Sequence, residues 1–593
     1  VGGVSKVVMR GMKSIMQSSN TLYVIDGIPM FNNSSKGGME FDSKGSTESI
    51  ADLNPDDIAS MSVMTGASAA ALYGSEAANG AVLITTKKGE AGKLRVTVSS
   101  NTEFMTPLWL PEFQTRYGTG RKGKNSGSTI HSWGAYLRPE ARYNYSPEDF
   151  METGHVYTNS FTLSGGSEKN QTYFSAAAVN SDGLMPNNEY NRYNFTFRNT
   201  THFLNDRLVL DASASYIIQD DRNMTNQGVY SNPLVSAYLF PRGDDFSLVK
   251  AFERWNPARK IYAQFWPQGE GGDLRMQNPY WINYRNLRNN NKKRYMLSFS
   301  AGYDILDWMN LSARVRIDNA DNIFTQKLYA SSIATLTEGG LNGHYTEART
   351  YDKQTYADVI LNIDKALGKD WTIVANIGAS YNNIGTDELR YGGPIQDNGL
   401  ANVFNVFDLD DTKKRASKSG WNDETQSVFG SVELGWKKML YITATGRNDW
   451  ASQLAGSSER SFFYPSVGIS WVPTSIWDFG AVNYFKLRAS VASVGMPFPR
   501  FLTMPTYEYD ATNKIWKDKT HYPIGDLKPE RTLTYEVGVE TRFWQDLSLN
   551  LSWYLADTYN QTFDPQISGG TGFSKIIIQS GNVRNQGIEL ALG

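Results

Sequence analysis

From Gly92 onward the chain repeats one pattern, in which segments of roughly 10 residues alternate apolar and polar side chains with a period of two and then turn. In one segment Leu208, Leu210, Ala212, Ala214, Tyr216 and Ile218 share a face, while Val209, Asp211, Ser213, Ser215, Ile217 and Gln219 share the other. Tyr295, Leu297, Phe299, Ala301 and Tyr303 oppose Ser298, Ser300 and Asp304 in the same way. Leu547, Leu549, Leu551, Trp553 and Leu555 oppose Ser548, Asn550, Ser552 and Tyr554. This period belongs to strands with two unlike faces. At 593 residues the chain is too long for one ordinary core, which leaves several domains or one very large barrel.

A soluble sandwich also alternates, so the pattern alone does not decide. Aromatic placement favours the barrel. Trp371, Tyr381, Trp436, Tyr441, Trp471, Phe543, Trp544 and Trp553 fall near strand ends, where interfacial girdles lie. No stretch approaches the roughly 18 apolar residues of a membrane-spanning helix. The mean hydropathy of −0.45 does not oppose a barrel, because only alternate residues of such a strand meet lipid. Short turns at 205–206, 306–307, 368–370, 437–438 and 545–546 alternate with long connections near 104–157, 220–291, 319–351, 382–424 and 495–530. That asymmetry predicts an outer-membrane barrel with its long loops outside. The count comes to roughly 16 strands.

Residues 54–89, NPDDIASMSVMTGASAAALYGSEAANGAVLITTKKG, break the pattern. Asn54 is placed to cap a helix start, with Pro55 at the first helical position and Asp56 and Asp57 facing the helix dipole. Residues 60–64 read as a short strand ended by Gly66, and 67–72 as a small-residue helix suited to packing inside another structure. Gly74 and Gly80 give the backbone freedom for a turn, and residues 81–86 read as an apolar strand. A unit this compact is neither barrel nor sandwich.

This run resembles the plug signature of TonB-dependent outer-membrane transporters, in particular the SusC/RagA-like branch. LYVIDGIP at 22–29 is similar to that branch's mid-plug strand and turn, and ASAAALYGSEAANG at 67–80 with LITTKKG at 83–89 to its plug terminus. LKPERT at 527–532, DTYNQ at 557–561 and GNVRNQGIEL at 581–590 resemble its late barrel strands and turns. The motif positions are Asp26, Gly27, Gly66, Tyr73, Gly74, Asn79 and Gly80, with simple turn chemistry expected of Asp26 and Gly27. Ala59, Ser62 and Glu76 depart from the two acidic residues and the arginine expected there, so the usual charge pairs between plug and barrel wall are not expected from them.

The resemblance implies an all-β transmembrane barrel of about 22 antiparallel strands in the full protein, carrying an N-terminal α+β plug in its lumen. The plug is assigned to residues 1–91 and the barrel to 92–593, each incomplete, in a processed or partial chain. It implies import across the outer membrane of a Bacteroidetes-type bacterium, driven by a TonB–ExbB–ExbD complex. A SusD-like surface lipoprotein is implied as a lid, in a dimer of such pairs, with oligosaccharide or oligopeptide as cargo. Two other readings stay open: uptake of an iron chelate or cobalamin, and a secreted all-β carbohydrate-binding protein.

Chemistry-bearing motifs are sparse. A net charge of −2 offers no basic field for nucleic acid, and the absence of cysteine removes disulfides and thiol chemistry. His131, His155, His202, His344 and His521 are scattered without metal-ligand spacing. GTGRKGKN at 118–125 approaches a phosphate loop but carries Asn125 in place of the hydroxyl residue. Asp408, Asp410 and Asp411 lack the glycine and glutamate of a calcium loop. No enzyme and no cofactor are expected. The candidate contacts to substrate or lid are the loop aromatics Trp109, Trp133, Tyr136, Trp255, Trp266, Tyr280, Trp281 and Tyr284, because aromatic faces stack on sugar rings and peptide side chains.

Overall fold

The computed structural model describes residues 7–14, 19–32, 49–65, 68–126, 130–141, 147–226, 228–267, 276–503, 507–510, 513–517, 521–522, 527–544 and 546–593. The N-terminal part forms a four-stranded sheet from β1 (Leu22–Ile25), β2 (Ile28–Pro29), β3 (Ile58–Met64) and β4 (Ala81–Thr86), in the order β2-β1-β4-β3. Strands β1 and β4 run parallel, and a six-residue helix α1 (Ser68–Tyr73) bridges β3 to β4. Helix α1 cannot make a core alone. Ala69, Ala70, Ala77, Ala78 and Ala81 are fully buried, and they share a cluster with Phe462, Tyr464, Val494 and Met496 of the large sheet and with Phe498 just beyond it. Small side chains let the two units approach closely and bury one common core, as the helix composition predicts.

The large sheet has 16 strands. They are β5 (Gly92–Met105), β6 (Gly154–Gly166), β7 (Asn170–Asp182), β8 (Glu189–Phe203) and β9 (Leu208–Arg222). Next come β10 (Asn286–Leu306), β11 (Met309–Tyr329), β12 (Gly343–Leu367), β13 (Trp371–Pro394) and β14 (Arg415–Trp436). The last are β15 (Leu440–Ala451), β16 (Phe462–Trp471), β17 (Val482–Met496), β18 (Glu530–Phe543), β19 (Leu547–Tyr559) and β20 (Val583–Leu592). Each strand pairs antiparallel with its sequence neighbour. Strands β5 and β20 are the sheet edges and do not pair with each other, so the cylinder is open along one seam.

The alternation reads directly onto the surface. Leu297 and Phe299 on β10, Ile377 on β13, Val467 and Ile469 on β16, and Leu551 and Trp553 on β19 point outward and are exposed. An apolar belt of this extent is tolerable only against lipid. Trp371 lies opposite Trp436 across the sheet with ring centroids 6.3 Å apart, at the short-turn end where a girdle belongs. At the turn between β14 and β15 both Lys437 and Lys438 adopt positive φ, the tight hairpin geometry.

Two expected loops are shorter than the sequence suggests. Strands β10 to β14 run 21 to 25 residues, so the connections near 319–351 and 382–424 shrink to 330–342 and 395–414. At roughly 3.3 Å per residue and a tilt near 45°, such strands outreach an apolar band of about 25 Å. Beyond the bilayer both faces are wet, alternation lapses, and strand looks like loop.

Candidate functional site

The plug is held by side chains from around the cylinder. Asp52 is buried and receives Lys292 Nζ and Arg294 Nη1, each at 2.7 Å, from β10. Burial alone would push its carboxyl up, but these two cations outweigh it and hold the carboxyl below its ordinary range. Asp57 accepts from the Tyr173 hydroxyl at 2.9 Å on β7 and from Thr196 at 3.0 Å on β8, and Asp56 accepts from Ser160 on β6. Asp26 accepts from Arg198 Nη1 at 3.0 Å on β8 and from Thr86 within the plug. On the opposite side Arg10 pairs with Glu536 of β18 at 2.7 Å and Glu589 of β20 at 2.6 Å. Contacts spread from β6 to β20 require the sheet to wrap the plug.

These contacts correct one expectation and show where the plug's charge pairs come from instead. Asp56 and Asp57 face the wall rather than a helix dipole, because Pro55–Asp57 is a three-residue 3-10 turn; Asn54 still caps it, accepting from the Asp56 N–H. Plug and wall are richly charge-paired through Arg10, Asp26 and Asp52, while Ala59 and Ser62 lie on the exposed part of β3.

The motif glycines are explained by close approach. Asp26 and Gly27 form the β1–β2 turn with φ of 52° and 79°. A Cβ on Gly27 would stand 2.1 Å from Arg314 Nη1, which donates to the Asp26 carbonyl at 3.2 Å. Turn chemistry is thus only half of their role. Gly74, at φ 88°, has room for no more than a tight contact with Arg447 Nη2, and Gly80, at φ 97°, abuts the Met64 carbonyl. Gly66 lies outside the described residues.

Between plug and wall, toward the long-loop end, opens a cavity of about 410 Å³. The plug contributes Phe31, Tyr73, Gly74, Glu76 and Asn79; the wall contributes Tyr356, Asn382, Asp423, Arg447 and Asp449; the segment after β17 contributes Phe498 and Arg500. Arg447 Nε donates to Asp449 at 2.7 Å, Nη2 to Ser427 Oγ at 2.8 Å and Nη1 to the Leu72 carbonyl at 3.0 Å. Arg500 Nε donates to Asp423 at 2.6 Å while its guanidinium lies 3.5 Å from the centre of the Trp421 ring, which meets Phe31 edge-on. Tyr73, Gly74 and Asn79 therefore converge on one site, whereas Asp26 and Gly27 serve another contact. The wall residues were missed from sequence. Their only signal is charge at inward positions of β14 and β15, which does not tell which charges meet.

The loop aromatics divide, and none lines this cavity. Trp109, Trp133, Tyr136 and Trp255 are exposed; Trp133 and Tyr136 flank Tyr117, and Trp255 packs on Tyr262. Trp266, Tyr280 and Tyr284 are half-buried against Phe240, Phe150 and Phe252. Trp281 is fully buried with its indole N–H donating to Ser332 Oγ at 2.9 Å. It holds the loop together and is out of reach of a ligand, which corrects its place among the candidates. Residues 118–125 form a small hairpin, and among the described residues no group of His, Asp and Glu is arranged to hold a metal. Among the described residues no helix is long and apolar enough to cross a membrane, which says nothing of a β-barrel.

A large lipid-belted sheet wrapped around its own N-terminal plug defines a plugged β-barrel of the outer-membrane kind. The chain belongs to the TonB-dependent receptor family: residues 1–81 match the TonB-dependent receptor plug domain and residues 247–593 the TonB-dependent receptor-like β-barrel. That family is one of receptors and transporters, not an enzyme class. The chain is 24% identical to TonB-dependent receptor P39 of Formosa agariphila, over all of this chain and 54% of that protein. It is 22% identical to TonB-dependent receptor SusC of Bacteroides thetaiotaomicron, over all of this chain and 59% of that protein. The chain thus spans little more than half the length of these curated relatives. Its fold overlays the RagAB peptide importer with a TM-score of 0.72 at 18% identity, covering 99% of this chain and 66% of that one. The siderophore receptor PirA of Acinetobacter baumannii overlays with a TM-score of 0.54 at 16% identity, covering 97% of this chain and 70% of that one.

Proposed function

We propose that this chain is the plug and much of the barrel of a SusC/RagA-like importer that brings oligosaccharides or oligopeptides across the outer membrane of a Bacteroidetes-type bacterium. The carrying observation is the plug itself, pinned to strands around the lumen by Arg10, Asp26, Asp52 and Arg447. Cargo cannot pass while it stays in place, and the outer membrane has no nucleotide supply, so the work of displacing it comes from a TonB–ExbB–ExbD motor. The greater overlay with RagAB than with PirA supports this branch over the siderophore receptors. A SusD-like lipoprotein closing over the long loops, in a dimer of such pairs, completes the reading. The exposed Trp109, Trp133, Tyr136 and Trp255 are its proposed contacts to lid or cargo.

The chain contains no cysteine, so an engineered pair would form a defined crosslink. Asp56→Cys with Ser160→Cys joins plug to wall where the native side chains already touch. Uptake should stop when this disulfide forms and resume on reduction; undiminished uptake through the locked plug would overturn the mechanism. Growth of a deletion strain on defined glycans, peptides, iron chelates and cobalamin identifies the cargo. A defect confined to an iron chelate or cobalamin would replace the oligomer reading.

A further inference from the structure

Three carboxylates line the luminal cavity, Glu76 from the plug and Asp423 and Asp449 from the wall. Two of them are engaged. Asp423 receives Arg500, and Asp449 receives Arg447 and the Tyr464 hydroxyl. Glu76 has no hydrogen bond or salt bridge among the described residues, and Arg447, the cation whose charge acts on it, has all three guanidinium nitrogens engaged elsewhere. Glu76 is open to the cavity while protein surrounds it on the other sides. An ionised carboxylate so placed faces the water of the cavity with no counter-ion of its own among the described residues.

The remaining lining is neutral and polar, from Ser380, Asn382, Thr425 and Gln453, with Phe31 and Phe498 as apolar faces. About 410 Å³ lies within the range of small-ligand pockets, roughly 300–1,000 Å³, so it admits one end of an oligomer rather than its whole length. Resting on the oligomer-import reading, we propose that Glu76 determines the specificity of this cavity by receiving the primary ammonium group of the cargo, whether a peptide amine or an amino-sugar amine.

Among the described residues the charged groups around Glu76 are Asp423, Asp449, Arg447 and Arg500, and the phenols of Tyr73 and Tyr356 also line the space. Burial first, then the two aspartates, push the Glu76 carboxyl up to about 7, with Arg447 opposing. Preference for a cation therefore strengthens as pH rises through 7 and fades below it.

The test measures binding of two pairs of probes to the full-length transporter in detergent: trilysine against its fully acetylated form, and a glucosamine trimer against its N-acetylated form. At pH 7 the ammonium member of at least one pair should bind about tenfold tighter, and the pair that shows this names the source of the amine. Trilysine selectivity should weaken by several-fold at pH 5.5. Glu76→Gln should abolish the selectivity while retaining binding of the acetylated probe, and Glu76→Arg should turn it against the ammonium form. Heat-modifiable migration on gels confirms that each variant is folded. Equal affinity within both pairs, or selectivity that survives in Glu76→Gln, overturns the role of Glu76 and leaves oligomer import standing. Binding of none of the four probes overturns the ammonium role of Glu76, while the growth phenotypes of the deletion strain decide oligomer import independently.

Discussion

Gly27 shows how a single position can be fixed twice over, by its own φ of 79° and by the Arg314 guanidinium lying where a Cβ would go. Arg314 cannot move aside cheaply because Asp358 grips it at 2.6 Å and 3.0 Å. Gly27→Ala should therefore weaken plug docking by about 1–3 kcal/mol, read as faster hydrogen exchange in β1 and β4. Gly368→Ala, with similar φ but open space, should cost less. Glu76 makes the opposite kind of prediction. Its folded pKa of about 7 lies above the ordinary 4.5, so the native state holds the proton more tightly and its stability falls as pH rises from 4.5 through 7. Glu76→Gln should remove that slope and stabilise the plug at pH 8 by about 1 kcal/mol, a figure reduced for the open cavity face. Denaturant midpoints for plug release at pH 5 and pH 8 check this.

The described part of the second long loop, residues 223–226, 228–267 and 276–285, is a folded element and not a coil. Asn232 and Asn278 cap its two short helices, Pro233–Leu239 and Pro279–Arg285, and Phe240, Phe246 and Val249 form a buried cluster beneath them. Trp281→Ala should cost about 3–5 kcal/mol locally and open the loop to protease, because the indole fills the interior and its N–H satisfies Ser332. Trp255→Ala should leave protease resistance unchanged, since that ring stands on an exposed hairpin. The composition of the loop is equally aromatic at both sites. Only the fold separates a ring that builds the loop from one that faces outward.

Around the whole barrel, charge pairs hold the plug while the cavity above it stays open to the long loops, an arrangement suited to capture on one side and traction on the other. The lid contact is expected on the exposed aromatics of the first loop. Trp133→Ala with Tyr136→Ala should weaken binding of the lipoprotein about tenfold, or 1.4 kcal/mol, with barrel assembly intact. Affinity measured with the purified lipoprotein tests it, and an unchanged affinity would assign these rings another role.

Period-two alternation, short turns against long connections, and the small-residue helix of the plug are local properties, because each follows from what one strand or turn must show to lipid, lumen or neighbour. They are legible in the sequence itself, as is the family likeness in residues 54–89. Where the strands stop is not, because alternation records the membrane and falls silent above it. Nor is the partnership of Asp52 with Lys292 and Arg294, or the meeting of Glu76 with Asp423 and Asp449. Those pairings join positions hundreds of residues apart, and a lumen-facing charge looks the same in sequence whether it meets a plug residue, a neighbouring strand or water. Wrapping the sheet around the plug is what selects among them.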